Sequence, residues 1–480
     1  MIKFYKTESI PLELHKARVV QKINLVPVER RFEAIKEAGF NTFQLSTKDV
    51  FLDMLTDSGT NAMSDNQIAA MFQADDAYAG SQSFFRLQKS VEDVLGKKYF
   101  LPVHQGRAAE NVICRTFVKK GNVVITNYHF TTFLAHLLEN QGSIAELLCD
   151  DALTIKSDNP FKGNMDIDKL IACIEKNGKE NIAFIRMEAS TNLIGGQPFS
   201  IANLMDVRRV ADKYGIMLVL DASLLGENAY LIKEREKEWQ ENTMADIIKM
   251  MTNLADLVYF SARKLTSSRG GGICTNRKEL YLKMEALIPL FEGFLTYGGM
   301  SIREIEAMAV GMYETLDETM ISQSPGFIKY FVEQLVALDI PVVTPPGVLG
   351  CHIDAMAFCS HIPQSEYPAG CLAAAYFLIS GVRGMERGTI SSVRDENGKE
   401  IMADVELLRL AVPRRVFTLS QIKYAIDRLR WLYDNREMIG GLQFIYEPPV
   451  LRFFMGKLEP VSDWPEKLMA KFRRDFKGSL

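Results

Sequence analysis

The sequence predicts an α/β protein, with a large domain on a mostly parallel sheet and a second, smaller α+β domain. Two observations carry that expectation. From 122 to 263, short apolar runs of β-favouring residues alternate with amphipathic stretches of helical spacing, the pattern of a parallel sheet covered on both faces. Beyond 317 the alternation stops, and a helical pattern gives way to short strand-like runs interrupted by glycine and arginine. At 480 residues the chain is long enough for both domains.

The first 26 residues read as an N-terminal arm; 27–64 and 318–458 are assigned to the small domain, and 65–317 to the large one. Within the large domain, HQGRAAEN (104–111) is placed to open a helix. NVVITN (122–127), NIAFIRME (181–188), IMLVLDAS (216–223) and LVYFSAR (257–263) read as strands. IANLMDVRRVADKYG (201–215) has helical apolar spacing and a glycine stop. In the small domain FIKYFVEQLVALDIPVV reads as a helix then a strand, followed by HIDAMAFC, GVRGMERG and LLRLAVPRRVF. The tail, 459–480, is charged and reads as a surface appendage.

Apolar residues make up 47% of the chain and charged ones 24%, so it can bury a core and is not disordered as its main state. The 56 Lys+Arg and 60 Asp+Glu give a net charge of −4, with the signs interspersed. No basic footprint for nucleic acid or an anionic membrane results. Seven scattered cysteines without a CxxC pair argue against a disulfide framework and a cysteine-ligated zinc site. The N-terminus lacks a signal peptide's apolar core, and no apolar run reaches the roughly 18 residues that cross a bilayer. A cytoplasmic enzyme acting on a small molecule is expected.

Four features in chain order fit pyridoxal 5′-phosphate (PLP). In HQGRAAEN, Gly106 lets the backbone approach closely, and Arg107 adds a cation at a helix N-terminus, a place for a phosphate. Asp221 ends an apolar strand, where open α/β sheets bind ligands, and PLP needs an acid at its ring nitrogen. Read alone, Asp221 is equally a helix cap or a metal ligand. SARKLTSSRGGG (261–272) puts Lys264 at the end of the next strand, where it can form a Schiff base, with Arg263 beside it. Alone, it is a solvated loop lysine as readily. Arg409 lies in the apolar run LLRLAVPRR, an expensive place for a charge without a partner. A substrate carboxylate or a core acid would each serve as that partner.

The chain resembles the β-eliminating lyases, from about residue 30 to 458. The resemblance rests on NTFQLSTKDVFLDMLTDSGTNAMSD (41–65), DDAYAGSQSFFRL (75–87), HQGRAAEN, GGQPFSIANL (195–204), ENAYLIKEREKEW (227–239), TYGG (296–299) and FIYEPPVLRFF (444–454). GMERGTIS (384–391), with Arg387, and VPRRVF (412–417) are similar to the tyrosine-cleaving branch rather than the tryptophan-cleaving one. The family implies a fold-type I PLP enzyme, a homotetramer with each active site shared across a dimer interface.

The resemblance also implies roles. Lys264 would carry PLP and move the substrate's α-proton. Gln105, Gly106, Arg107 and Ser261 would hold the phosphate, Phe130 would stack on the ring, and Asp221 and Asn192 would meet its nitrogen and phenolic oxygen. Arg409, Thr56 and Ser58 would bind substrate. Tyr78 of a neighbouring subunit would protonate the leaving carbon, and Thr131 and Arg387 would meet the phenol hydroxyl. Phe43, Phe294, Met385, Phe453 and Phe454 would wall the ring. Gly59 and Asp76 match a monovalent-cation (K+) site, although glutamate is usual at 76. The implied reaction is β-elimination from an aromatic amino acid to a phenol, pyruvate and ammonia.

The chain departs from the family at Leu224, where an arginine is usual, and at Arg263 for lysine. It departs again at Leu349, for histidine, and at Phe294, for methionine. These changes leave other PLP chemistry open: β-elimination from tryptophan or an S-substituted cysteine, β-replacement, γ-elimination or transamination. A non-catalytic homologue is the remaining reading, against which Lys264, Tyr78 and Arg409 are all present.

Overall fold

Short, mostly apolar runs build the central sheet. In the computed structural model, which describes residues 4, 5, 8–392, 394, 395, 397–448 and 451–480, these runs become β1 (Tyr99–Val103), β2 (Val123–Thr126) and β3 (Ser143–Glu146), then β4 (Ile182–Glu188), β5 (Leu218–Asp221), β6 (Leu257–Ser261) and β7 (Gly271–Thr275). Part of the N-terminal arm, and Pro449 and Val450 of the FIYEPPVLRFF motif, lie outside the described residues.

The strands stand in the order β1-β7-β6-β5-β4-β2-β3. β7 is antiparallel to both neighbours, and the other pairs are parallel. Helices α1 (Gly106–Phe117), α2 (Thr131–Glu139) and α3 (Ile201–Tyr214) follow β1, β2 and β4, as parallel crossovers require. The Ser200 side chain accepts from the Asn203 amide to open α3, and Gly215 closes it at φ 68°.

The chain divides into two compact units. One comprises Ser58–Ala152 and Asn159–Ser322, and holds the seven-stranded sheet. The other comprises Met1–Asp57, Leu153–Asp158 and Gln323–Leu480. Residues 58–64 group with the sheet because Gly59 donates its amide to the Arg263 carbonyl (3.0 Å) and the Ser64 hydroxyl bonds Glu314. The other end of the division falls inside a continuous helix, α5 (Glu318–Ala337).

The second unit is organised around α6 (Pro368–Ser380), all of whose residues are buried, as an all-apolar helix demands. It also contains the antiparallel strands β8 (Gly350–Asp354), β9 (Met385–Arg387) and β10 (Leu407–Ala411), in the order β9-β10-β8. IPVV does not become a ladder strand: Val342 makes a lone bridge to Ile353, the Thr344 amide turns to the Ile155 carbonyl (2.8 Å), and prolines follow. Nor is the tail an appendage. It folds as α7 (Trp464–Asp475), which buries Trp464, Leu468 and Phe472 against α6 and the helix Val28–Glu37. The four-residue apolar spacing, hidden among charges, is what makes that face.

Candidate active site

β1, β2, β4, β5 and β6 run the same way, so their carboxyl ends gather at one edge of the sheet, where doubly wound folds bind ligands. Gln105–Arg107 follow β1, Phe130 and Thr131 follow β2, and Asn192 follows β4; Asp221 ends β5, and Ser261 ends β6. All belong to one unit.

Gly106 starts α1 after an extended Gln105 (φ −172°). A Cβ on Gly106 would lie 2.8 Å from the Ser261 Cβ, and one on Gly271 would lie 2.9 Å from the Gln105 carbonyl carbon. Only glycine lets these three segments close into a cradle, with the first turn of α1 at its mouth. Arg107 stands exposed in that turn. Burial lowers the pKa of Arg263, and the neighbouring Arg269 and Arg107 lower it further, the mark of cations crowded in one place. Such a cradle fits a phosphate dianion.

Lys264 lies on α4 (Ala262–Leu265), with its Nζ 5.2 Å from the centroid of the Phe130 ring. The amine and the aromatic assigned to one cofactor therefore face each other. Thr131, half-buried, is the first residue of α2 directly after that ring.

Asp221 is tightly held. Its Oδ2 accepts from Arg186 Nη2 (2.7 Å) and the Tyr259 hydroxyl (2.8 Å), and its Oδ1 accepts from the Ser223 amide (3.0 Å). Arg186 also donates to Glu188 Oε2 (3.0 Å), and Glu188 Oε1 accepts from the amide of the buried Asn192 (3.0 Å). Burial and the nearby Asp221 push the Glu110 carboxyl up to about 8. Arg186, Glu188, Tyr259, Ser223 and Glu110 escaped the sequence reading. The signal was there: Arg186 and Glu188 are charges within an apolar strand, the argument that had singled out Arg409. Leu224, at the same strand end, is buried and supplies no charge.

The remaining assigned residues fall in two groups. In the second unit, β9 and β10 place Met385 opposite Arg409 and Arg387 opposite Leu407, so the two buried arginines share a sheet face. Arg409 donates to the Leu55 carbonyl (2.8 Å), and its pKa is pushed down to about 10 by burial, against Asp57 and with Arg387. Phe43, Phe453 and Phe454 cluster there, with ring centroids 4.0 to 5.5 Å apart, and Thr56 is half-buried. Leu349 is buried with a left-handed φ of 74°. In the sheet-bearing unit, Phe294 stacks on Tyr78 (5.8 Å), and Tyr78 is 71% exposed. Ser58, assigned to substrate, receives a bond from Arg263 Nε (3.3 Å).

The residues do not fit the implied monovalent cation. A Cβ on Gly59 would lie 2.5 Å from one guanidinium nitrogen of Arg263 and 2.6 Å from one of Arg269, so two positive groups already crowd that backbone. Asp76 faces Arg303 at 3.6 Å. Exchanging K+ for Na+ or tetramethylammonium is therefore expected to change kcat/KM by less than about twofold, because the local field repels a further cation. A drop of about tenfold without K+ would show that an ion binds there after all.

Among the described residues, no group of three or more His, Cys, Asp and Glu could hold a metal ion, and no helix is long and apolar enough to cross a membrane.

A sequence model described as "Beta-eliminating lyase" matches residues 53–427. The tyrosine phenol-lyase of Symbiobacterium sp. (strain SC-1) is 42% identical over 94% of this chain and 99% of its own length. That of Pasteurella multocida is 41% identical over 94% and 99%, and that of Nostoc punctiforme 39% over 93% and 96%. Among solved structures, a serine palmitoyltransferase variant from S. paucimobilis with a bound PLP–myriocin aldimine matches at a TM-score of 0.56 and 12% identity, covering 81% of this chain and 89% of that one. The serine palmitoyltransferase of Sphingomonas wittichii matches at 0.55 and 12%, covering 81% and 88%. These structural likenesses carry the fold, the fold-type I architecture of PLP enzymes.

Proposed function

The chain belongs to the beta-eliminating lyase family, and from that premise we propose that it cleaves tyrosine, with one water, into phenol, pyruvate and ammonia, using PLP held at Lys264. The observation that carries this reading is the Lys264 amine poised 5.2 Å from the Phe130 ring, at the strand end next to Asp221. When bound, PLP supplies an electron sink for the charge left at the substrate's α-carbon.

The chain's own residues do the rest. The amides and side chains of Gln105, Gly106, Arg107 and Ser261 hold the phosphate. Asp221 pairs with the ring nitrogen, Asn192 with the phenolic oxygen, and Phe130 covers the ring face. Lys264 Nζ holds the cofactor and then carries the α-proton. The Arg409 guanidinium fork grips the substrate carboxylate, and Thr56 and Ser58 also bind substrate. Arg387 and Thr131 hold the phenol hydroxyl, where positive charge and donors favour the ketone-like ring form that can leave. Phe43, Phe294, Met385, Phe453 and Phe454 exclude water from that ring. Tyr78 protonates the departing ring carbon. Its 71% exposure supports its serving the site of a second copy, and the family resemblance is the ground for proposing a homotetramer with shared sites in the cytoplasm.

A panel of amino acids assayed for pyruvate, ammonia and phenol tests the proposal. Tyrosine should be turned over with equimolar phenol and pyruvate. Pyruvate from tryptophan or an S-substituted cysteine, with none from tyrosine, would move the chain to another β-lyase activity. Departures at Leu224 and Phe294 make that panel worth running first.

A further inference from the structure

Arg186 and Glu188 stand two residues apart in β4, on the same strand face, and both are buried. Arg186 uses every donor it has. Nε donates to the Tyr259 hydroxyl (2.9 Å), and Nη1 to Thr126 Oγ1 (3.3 Å) and the Tyr128 carbonyl (3.1 Å). Nη2 donates to Glu188 Oε2 and Asp221 Oδ2. Its guanidinium carbon also lies 4.6 Å from the centroid of the Phe133 ring. A buried ion pair is a poor way to stabilise a strand, because aliphatic side chains of the same volume would fill the space without losing hydration. Its presence therefore asks for another explanation.

The bonds supply one. Asp221 Oδ2 is joined through Arg186 to Glu188, and Glu188 Oε1 holds the amide of Asn192. One continuous buried chain thus connects the two groups assigned to the ring nitrogen and the phenolic oxygen of the cofactor. We propose that Arg186 and Glu188 are positioning residues of the cofactor site: together they fix Asp221 and Asn192 in register and set the charge felt by the lysine-bound cofactor. The inference rests on the reading that Lys264 carries PLP. A guanidinium thus reaches Asp221 from the neighbouring strand, while Leu224 supplies none. Burial by itself would discharge Arg186, but Tyr259, Glu188, Asp221 and Glu110 outweigh it and hold the guanidinium charged.

The test is the pH midpoint of the visible absorbance of the PLP-loaded enzyme without substrate. It is measured for the parent, Arg186→Met, Glu188→Gln and Arg186→Lys. Removing the positive charge should raise the midpoint and removing the negative one should lower it, each by about half to one pH unit, a three- to tenfold change in proton affinity. Arg186→Lys should lie closer to the parent than Arg186→Met. The ionisable groups packed around the pair are Asp221, Tyr259 and Glu110, with Arg107 and Arg263 on the phosphate side. Because Glu110 itself titrates at about 8, the opposite signs must persist in a Glu110→Gln background.

Opposite shifts are not produced by loss of packing, which would lower thermal stability and PLP loading in both variants alike. Midpoints that stay at the parent value, or move the same way, overturn the inference. Should Arg186→Met fail to fold, Glu188→Gln decides, and an unmoved midpoint there is equally fatal. If borohydride traps no adduct on Lys264 of the parent, the reading of the cofactor site itself has failed, a different result from an unshifted band.

Discussion

Lys264→Ala is expected to fold as the parent does and to release pyruvate at least about a thousandfold more slowly, because one amine performs both the covalent attachment and the proton transfer. The fold should survive. α4 is a single helical turn, where alanine is well tolerated, and the Ala262 amide is anchored to the Gly270 carbonyl (2.9 Å) whatever stands at 264. The cradle of Gly106, Ser261 and Gly271 contains no atom of Lys264, so PLP should still bind, without a covalent link. Borohydride followed by mass spectrometry reads the difference: an adduct on Lys264 in the parent and none in the variant. Pyruvate release within about tenfold of the parent would remove Lys264 from the chemistry, since a positioned base alone contributes more than that.

How much of this was legible in the sequence depended on how local each feature is. The phosphate cradle and Lys264 lie in continuous segments whose glycines, strand ends and helix start can be read in place, and HQGRAAEN does open a helix at Gly106. Four of the seven strands were equally plain, because a buried parallel strand advertises itself as an unbroken apolar run; β1, the polar-ended β3 and β7, whose glycines read as a turn, were not. What the sequence hid is the pairing across strands. Glu188 stands opposite Asp221 in register, and Asp221 opposite Tyr259, a lateral relation that no spacing along the chain encodes. The same holds for the crowding of Gly59 by Arg263 and Arg269, which brings distant segments together and defeats a motif-based cation site. In α7, charge density masked four buried positions, because composition averages over faces that a helix separates.

Arg387→Met is expected to lower kcat/KM for tyrosine by about a hundred- to a thousandfold, as losing a donor aimed at developing charge does, and to leave an S-substituted cysteine within about threefold. β9 and β10 explain why. Arg387 and Arg409 are diagonal neighbours on one sheet face, both buried, and Arg387 contributes to depressing the pKa of Arg409. Two like charges are held there at a cost that two separate anionic or hydrogen-bonding partners would offset. A tyrosine offers both, a carboxylate for Arg409 and a phenol hydroxyl for Arg387. A thiol leaving group offers only the first, so it should not notice the loss of the second. Methionine keeps much of the arginine's length and packs in a buried strand, which separates the missing charge from a missing side chain. Equal losses on both substrates, with thermal stability unchanged, would mean that Arg387 serves Arg409 rather than the phenol, and the assignment of tyrosine would lose its support from Arg387.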